Sequence, residues 1–592
     1  MHWRHNLTRY FGIIGSFALG AMVATGAISV SELNYNDAFD EDLEYIELIN
    51  TGVGEVVLTG ATFTSGIVYT FNSPTVLAGG ERIVISKHRT KFKVRYGATG
   101  IRLADGAFTG GFANGGESVT LTSADGLELF SFKYKSDDGW PSRPAGLGSS
   151  LECLDPSGDL SDPANWRASP EYLGSPGRAG VATPRTVVIN EILAHTDPPF
   201  EDAIELINLT DQPINIGGWY LSNSRAKPRK FRIPSGTIIG AHDYQVFYEL
   251  AGTGNLRGFN PTGTGIDPSF TFNAAHGDEA CLLSADSVGN PLLWMDAISF
   301  EATANGISQG RYPNGVGRLT TLRQPSFGAA VTANDPPELI TLFRSGLGAS
   351  NASPRVGPLV FSRIQYHPAA GEDEFLEIYN NSAEPLNLFD PLHATNAWRI
   401  RDGVDFDFPT GISLAAYQRL LVVGVDPVKF RTRYNIPVSI GVFGPWTNLL
   451  SNEGERVAIY QPDAPQLPPH TDAGFVPYVV VDEITYSPKL PWPPAADGTG
   501  PALRRKDVTQ FGNDPTAWEV DVVLPPVVTF VPLVNGIRLS FLAEWGRTYS
   551  LEGKPILPAM WDNLSIIPTP PAGGDASVDI TANPGFFRVR VD

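Results

Sequence analysis

The stretch EDAIELINLTDQPINIGGWYLSN, Glu201 to Asn223, decides the fold. Apolar and polar residues alternate through Ile204, Leu206 and Asn208, which is the period of a half-buried strand. LTDQP then supplies a polar, proline-bearing turn, and the pattern restarts at GGWYLS. Strand, turn and strand in so few residues describe a sheet, and the same plan occurs twice more in the chain.

Three opening segments match: ISVSELNYNDAFDEDLEYIELIN from Ile28, VVINEILAHTDPPFEDAIELINL from Val187 and LVFSRIQYHPAAGEDEFLEIYNN from Leu359. Each reads as strand, acidic turn, strand. A second block follows each, with Pro74, Pro234 and Pro409 at equivalent bends, and then a third: NGGESVTLTSADG, HGDEACLLSADS and NEGERVAIYQPD. From Glu47 to Glu117, Glu205 to Glu279 and Glu377 to Glu455 the separations are 70, 74 and 78 residues. The first and third copies close alike, at Trp166 and Trp518, whereas the second has SFEATANGISQGRYPNGVGRL instead. Repetition of ordered blocks at near-constant spacing marks tandem domains.

The copies resemble lamin-tail domains, the immunoglobulin-like β-sandwich of nuclear lamins and of many secreted bacterial proteins. The residues that carry the resemblance are INEI at Ile189 to Ile192, Glu205 and Asn208, GGWYLSN at Gly217 to Asn223, Phe231 to Thr237, and GDEACLLSAD at Gly277 to Asp286. The first copy lacks the tryptophan of Trp219 and Trp398, and the third has Arg363 where the others have Glu32 and Glu191. The resemblance implies an all-β chain. Its expected organisation is a signal peptide over 1–27, sandwiches over 28–182, 185–335 and 357–522, a linker over 336–356, and a small β module over 524–592. In that last unit, alternation through Ile537, Leu539 and Phe541, then Tyr549 and Leu551, reads as a hairpin around EWG.

The bulk numbers agree. A chain of 592 residues exceeds one ordinary core, and 61 glycines with 49 prolines interrupt it too often for long helices. A formal charge of −20 lacks the clustered Lys and Arg that neutralise phosphates, so nucleic acid is not an expected partner. Arg4 and Arg9 followed by an apolar run from Phe11 to Ala24 form a signal-peptide layout, with cleavage after Ala24 or Ala27 and an uncleaved anchor as the alternative. No later segment is expected to cross a membrane. Export would permit a disulfide between the only two cysteines. However, Cys281 aligns with core positions Val119 and Val457, while Cys153 aligns with Arg505, expected to face solvent, so two free thiols are predicted.

Chemistry is sparse. GISQG, Gly306 to Gly310, fits the G-x-S-x-G of a nucleophile elbow. That motif requires a strand-to-helix turn on an α/β sheet, so in an all-β repeat it reads as a surface loop. His195 and His367 sit at equivalent turn positions where the first copy has Asn36. Trp140, Trp219, Trp398 and Trp492 could stack on sugars, but such residues belong more often to a sandwich core. The sharpest metal candidates are the acidic turns: Asp40, Glu41 and Asp42; Glu201 and Asp202; Glu372, Asp373 and Glu374. Adjacent carboxylates could begin a calcium cage, against the alternative of solvated hairpin tips.

No catalytic constellation is legible. The resemblance implies a noncatalytic adhesion, scaffold or recognition protein, secreted, periplasmic or held at the cell surface, with an extracellular protein or polysaccharide as partner. The alternative is an extracellular hydrolase or an accessory subunit of one, possibly metal-dependent.

Overall fold

A computed structural model describes residues 27–592 apart from 98, 198–199, 251–257, 262–267, 328–345, 469–471, 522–527, 544–548, 555–561, 569–573, 581–585 and 592. Residues 1–26 of the expected signal peptide lie outside the described residues. The chain forms two compact units, residues 1–184 with 283–295 and residues 185–282 with 296–592.

The first repeat pairs a five-stranded sheet, in the order Trp166–Ala168, Leu151–Cys153, Ile28–Asn34, Tyr45–Asn50 and Arg82–Ser86, with a three-stranded sheet of Thr62–Ser65, Ser118–Thr122 and Glu128–Lys133. The opening hairpin sits at the centre because its apolar residues face the second sheet. Val30, Leu33, Ile46 and Leu48 pack in one cluster with Phe63, Val119, Leu121 and Phe132. The third repeat keeps this plan. Leu359–Gln365 and Phe375–Asn380 are central in a six-stranded sheet that faces the four strands Phe406–Asp407, Arg399–Asp402, Arg456–Pro462 and Tyr478–Thr485. In the second repeat, Val187–Leu193 and Ala203–Asn208 are central in a sheet ending at Arg318–Thr321. The chain is therefore an all-β protein of immunoglobulin-like sandwiches. Each buried Leu, Ile or Phe contributes about 1.5–3 kcal/mol, so these two-sided cores outweigh any single surface ion pair.

One irregularity recurs. Pairing of the two opening strands slips between Val30 and Glu32, between Ile189 and Glu191, and between Phe361 and Arg363. A bulge adds one residue to one strand and re-aims its side chain. The extra residue donates to the glutamate of the partner strand in every copy: Ser31 Oγ to Glu47 at 2.6 Å, Asn190 Nδ2 to Glu205 at 2.7 Å and Ser362 Oγ to Glu377 at 2.8 Å.

Three expectations are corrected. The C-terminal hairpin does not form: Gly536–Ala543 pairs with Thr529–Leu533 and Gly574–Ile580, while Tyr549–Lys554 pairs with Asp562–Ile567 and Phe586–Val591. Alternation identified both strands, but their shared apolar face reflects a common core containing Leu539, Phe541, Tyr549 and Leu551, not hydrogen bonding to each other. Arg505 does not face solvent. It is 0% exposed and paired with Asp482, Nη1 to Oδ2 at 2.8 Å. Finally, Ser308 of GISQG is fully buried instead of lying on a surface loop. Both cysteines are free thiols. Trp140, Trp398 and Trp492 are buried in the sandwich cores. Among the described residues no helix is long and apolar enough to cross a membrane.

Candidate functional site

The acidic turns do not converge. In the first copy Asp40 and Asp42 both pair with Lys91, at 2.8 and 2.6 Å, and Asp40 caps the short 3-10 turn that begins at Glu41. In the second, Glu201 and Asp202 are buried, which corrects the expectation of solvated tips. Glu201 accepts the Leu250 amide at 2.7 Å. Asp202 accepts Thr196 Oγ1, Thr271 Oγ1 and the Phe272 amide at 2.9, 3.0 and 2.9 Å. In the third, Glu372 is exposed, Asp373 pairs with Arg433 at 3.1 Å, and Glu374 accepts the Leu450 amide at 3.2 Å.

The carboxylate immediately before each partner strand, Glu44 just past the first acidic turn and Asp202 and Glu374 within theirs, has one role throughout. Glu44, Asp202 and Glu374 each precede the partner strand and each accept an amide from the long connection, at Phe112, Phe272 and Leu450. Burial raises the pKa of all three, that of Asp202 to about 7. These carboxylates are committed to N–H, O–H and ammonium donors, the opposite of the free oxygen set a hard cation needs. Among the described residues, no group of three or more His, Cys, Asp or Glu side chains is placed to hold a metal.

Sequence reasoning missed the residues the fold does bring together. In the first repeat, pairing aligns Glu47, Glu32 and Glu152 across three adjacent strands. All three are buried. The corresponding row is Glu205, Glu191 and Gly310 in the second repeat, and Glu377, Arg363 and Arg504 in the third. Burying a carboxylate is costly unless donors surround it. In the first two repeats those donors come from the opening hairpin, from the strand before the domain's exit and from the exit segment itself.

Glu32 accepts Tyr45 Oη at 2.6 Å, the Ser175 amide at 2.7 Å and Ser150 Oγ, while the Gly177 amide donates to Glu47. Glu191 accepts Ser308 Oγ, and both the amide and the hydroxyl of Ser326. Close approach of these exit segments requires glycine. A Cβ on Gly174, which has φ of +105°, would collide with the Tyr45 hydroxyl and the Glu32 carboxylate. One on Gly348, at φ +101°, would collide with Glu205. Residues 348–351 lie in the stretch read as a linker, yet the Ala349 amide donates to Glu205 at 3.1 Å and Asn351 bonds the backbone of Asn190 and Arg311.

The third repeat inverts the charges. Arg363 pairs with Glu377 at 3.4 Å and with Asp521 at 3.3 Å, and Arg504 reaches Asp521 at 3.5 Å. Here the exit segment supplies the anion and the sheet supplies the cations. The serine equivalent to Ser150 and Ser308 is then Ala502, since an arginine needs no hydroxyl donor. Ser308 therefore serves as a hydroxyl donor to Glu191.

The glutamates titrate unusually. Burial pushes Glu191 up to about 7, and burial together with the Glu191 charge pushes Glu205 up to about 9. Burial raises Glu32 and Glu47 as well, and the Glu47 charge raises Glu32 further. The asparagine of the opening motif is equally committed. Asn208 Nδ2 donates to the carbonyls of Gln212, Ile239 and Gly240, and Asn380 does the same to Glu384, Leu414 and Ala415. The histidines at equivalent turns separate: His195 Nδ1 lies 2.6 Å from the Thr303 carbonyl, and His367 Nδ1 lies 2.5 Å from Asp497.

Comparison with known proteins fits this architecture. Residues 22–136 and 181–298 match the lamin tail domain family model. No curated protein matches. A crystal structure of a DUF4876 family protein from Bacteroides thetaiotaomicron aligns over 42% of this chain and 79% of its own, at 14% identity and a TM-score of 0.18. At that score the likeness carries no argument about fold or function.

Proposed function

From a chain that carries lamin tail domains in tandem, we propose a noncatalytic scaffold and recognition protein, secreted, periplasmic or surface-held, that engages an extracellular protein or polysaccharide. The observation that carries this reading is the exit latch. In each repeat the polar residues in the most unusual environments are spent on fastening the chain where it leaves its own sheet. A carboxylate saturated by internal hydroxyls and amides has no lone pair left to activate water, and a serine donating to it is not poised to attack a substrate. What such an arrangement does supply is a set of rigid sheets whose loops are free to display contacts. Several linked copies raise avidity where their ligands can be spanned together. The arginines and apolar run of the N-terminal segment, Arg4 to Ala24, support export, which would set these domains outside the cytoplasm.

The test is incubation of the mature chain, residues 28–592, with polysaccharides, envelope fractions and secreted proteins, with retention and released products measured in the same sample. Saturable retention without product is expected. Product formation that survives further purification would replace this reading with the hydrolase, and neither retention nor product would leave only a spacer.

A further inference from the structure

Within the second compact unit, two edge strands face a common crevice. Arg318–Thr321 ends the five-stranded sheet of the second repeat, and Tyr478–Thr485 ends the four-stranded sheet of the third. Between them lies a cavity of about 260 Å³, sharing walls with a second of about 220 Å³. Each is slightly smaller than the roughly 300–1,000 Å³ of a drug-sized pocket, which suits one ring of a longer chain passing through.

The lining is polar in both senses. Thr320, Thr321 and Thr485 line it, and Thr485 Oγ1 accepts Arg318 Nη1 at 3.5 Å. Asn513 spends its Oδ1 on the Thr485 amide at 2.7 Å, and its amide NH2 has no partner among the described residues. Tyr312, 40% exposed, stands at the mouth with its ring edge-on to Phe511, centroids 6.1 Å apart.

The charges of the crevice are sorted. Arg456 holds Glu301 at 2.9 Å and Glu483 at 2.6 Å, and Arg505 holds Asp482, so every acidic residue of the lining already has a cation. Arg318 and Arg355 are exposed, and neither has a carboxylate within ion-pair distance among the described residues. In a chain of net charge −20, two guanidiniums without a carboxylate in one polar cleft are an exception to the bulk. Guanidinium matches carboxylate in a two-pronged geometry, threonine and amide groups match vicinal hydroxyls, and an exposed tyrosine face matches the apolar face of a sugar ring.

We propose that this crevice binds an acidic polysaccharide, with Arg318 and Arg355 taking the uronate carboxylate and Thr320, Thr485 and Asn513 the ring hydroxyls. The proposal deepens the recognition reading and rests on it.

Titration calorimetry of the mature chain tests it with four probes: oligogalacturonate, oligomannuronate, a neutral oligogalactose and polyglutamate. The variants are Arg318→Gln and Arg355→Gln, with Arg323→Gln, exposed and outside the lining, as control. The expected result is that at least one uronate binds, weakening with salt, and that either crevice variant binds it about ten- to hundredfold less tightly while the control does not change. Equal binding by all variants would move the site elsewhere and leave the recognition reading standing. Polyglutamate binding with no uronate binding would overturn the saccharide in favour of an extended peptide. Silence from every probe would overturn the assignment, and retention on the broader panel then decides the recognition reading separately.

Discussion

Replacing Arg505 by methionine isolates the energetics of the most deeply buried charge in the third repeat. Its guanidinium spans both oxygens of Asp482, at 2.8 and 3.3 Å, donates to the carbonyls of Phe361 and Gln510, and lies over the Trp518 ring. Once it is gone, Asp482 remains in the core with the Phe361 amide at 2.9 Å among its few donors. Removing one partner of such a pair costs about 3–5 kcal/mol, because the survivor is an uncompensated buried charge. For a domain of this size, about 2–4 °C per kcal/mol puts the loss in melting temperature at roughly 6–20 °C. The first repeat shows the alternative, since Cys153 occupies the position of Arg505 and Phe130, by the order of the strands, that of Asp482. The double variant Arg505→Cys, Asp482→Phe is therefore expected to recover most of the loss. Scanning calorimetry of the mature chain reads both as shifts of one transition. A single-variant cost under about 1 kcal/mol, or a double variant as unstable as the single, would refute the reasoning.

Four other outcomes follow from the same geometry. Glu191 and Glu205 have folded-state pKa values above the ordinary 4.5, so the stability they confer is full below that value and lost as pH rises through about 7 and then about 9. The second repeat is expected to melt several degrees lower at pH 9 than at pH 5, and Glu205→Gln to flatten that slope. Ser308→Ala removes a donor from a buried carboxylate and is expected to cost about 1–3 kcal/mol in denaturant melts, while wild-type protein stays unlabelled by a fluorophosphonate that reports nucleophilic serines. Asn380→Ala strands three carbonyls at one turn, for a loss of about 1–3 kcal/mol by the same measurement. A calcium chelator is expected to leave the melting temperature unchanged, because Asp202 and Glu374 serve amides; a fall on chelation would restore the calcium cage.

Much of the fold was legible because it is written in periodicity. Alternation through Ile204 and Leu206 identifies a strand whichever strand it pairs with, and repetition of three blocks fixes how many times the plan is used. The same property explains the failure at the C-terminus, since alternation around Tyr549 reports a buried face and not a partner. The latch is hidden in the sequence for a different reason. Glu32, Glu47 and Glu152 are far apart in the chain and become neighbours only through registry across three strands. A charged residue inside an apolar strand was nevertheless a signal. Glu32 and Glu191, together with Arg363 at the equivalent place, are the sole charged residues of their strands, and the exchange of serine for alanine at Ala502 follows the exchange of glutamate for arginine. The acidic turns, by contrast, cluster carboxylates in the sequence that are separately engaged in space.

The inverted latch also bears on how the chain reaches its native state. Three similar sheets on one polypeptide can exchange strands while folding, the characteristic hazard of tandem repeats. The opening strand of the third repeat, inserted into the second, would keep one carboxylate, Glu205, but set Arg363 against Ser308 and Ser326 in place of Asp521, and would leave Asp521 with Arg504 alone in its own repeat. The opening strand of the second, inserted into the third, would keep a glutamate neighbour and gain Arg504, but would meet the Asp521 carboxylate and Ala502 in place of its serine donors. The first and second repeats use the same glutamate and serine pairing and lack this protection from each other. Kinetic traps during refolding should therefore concentrate between those two, and the third domain should find its own strands even when all three emerge together.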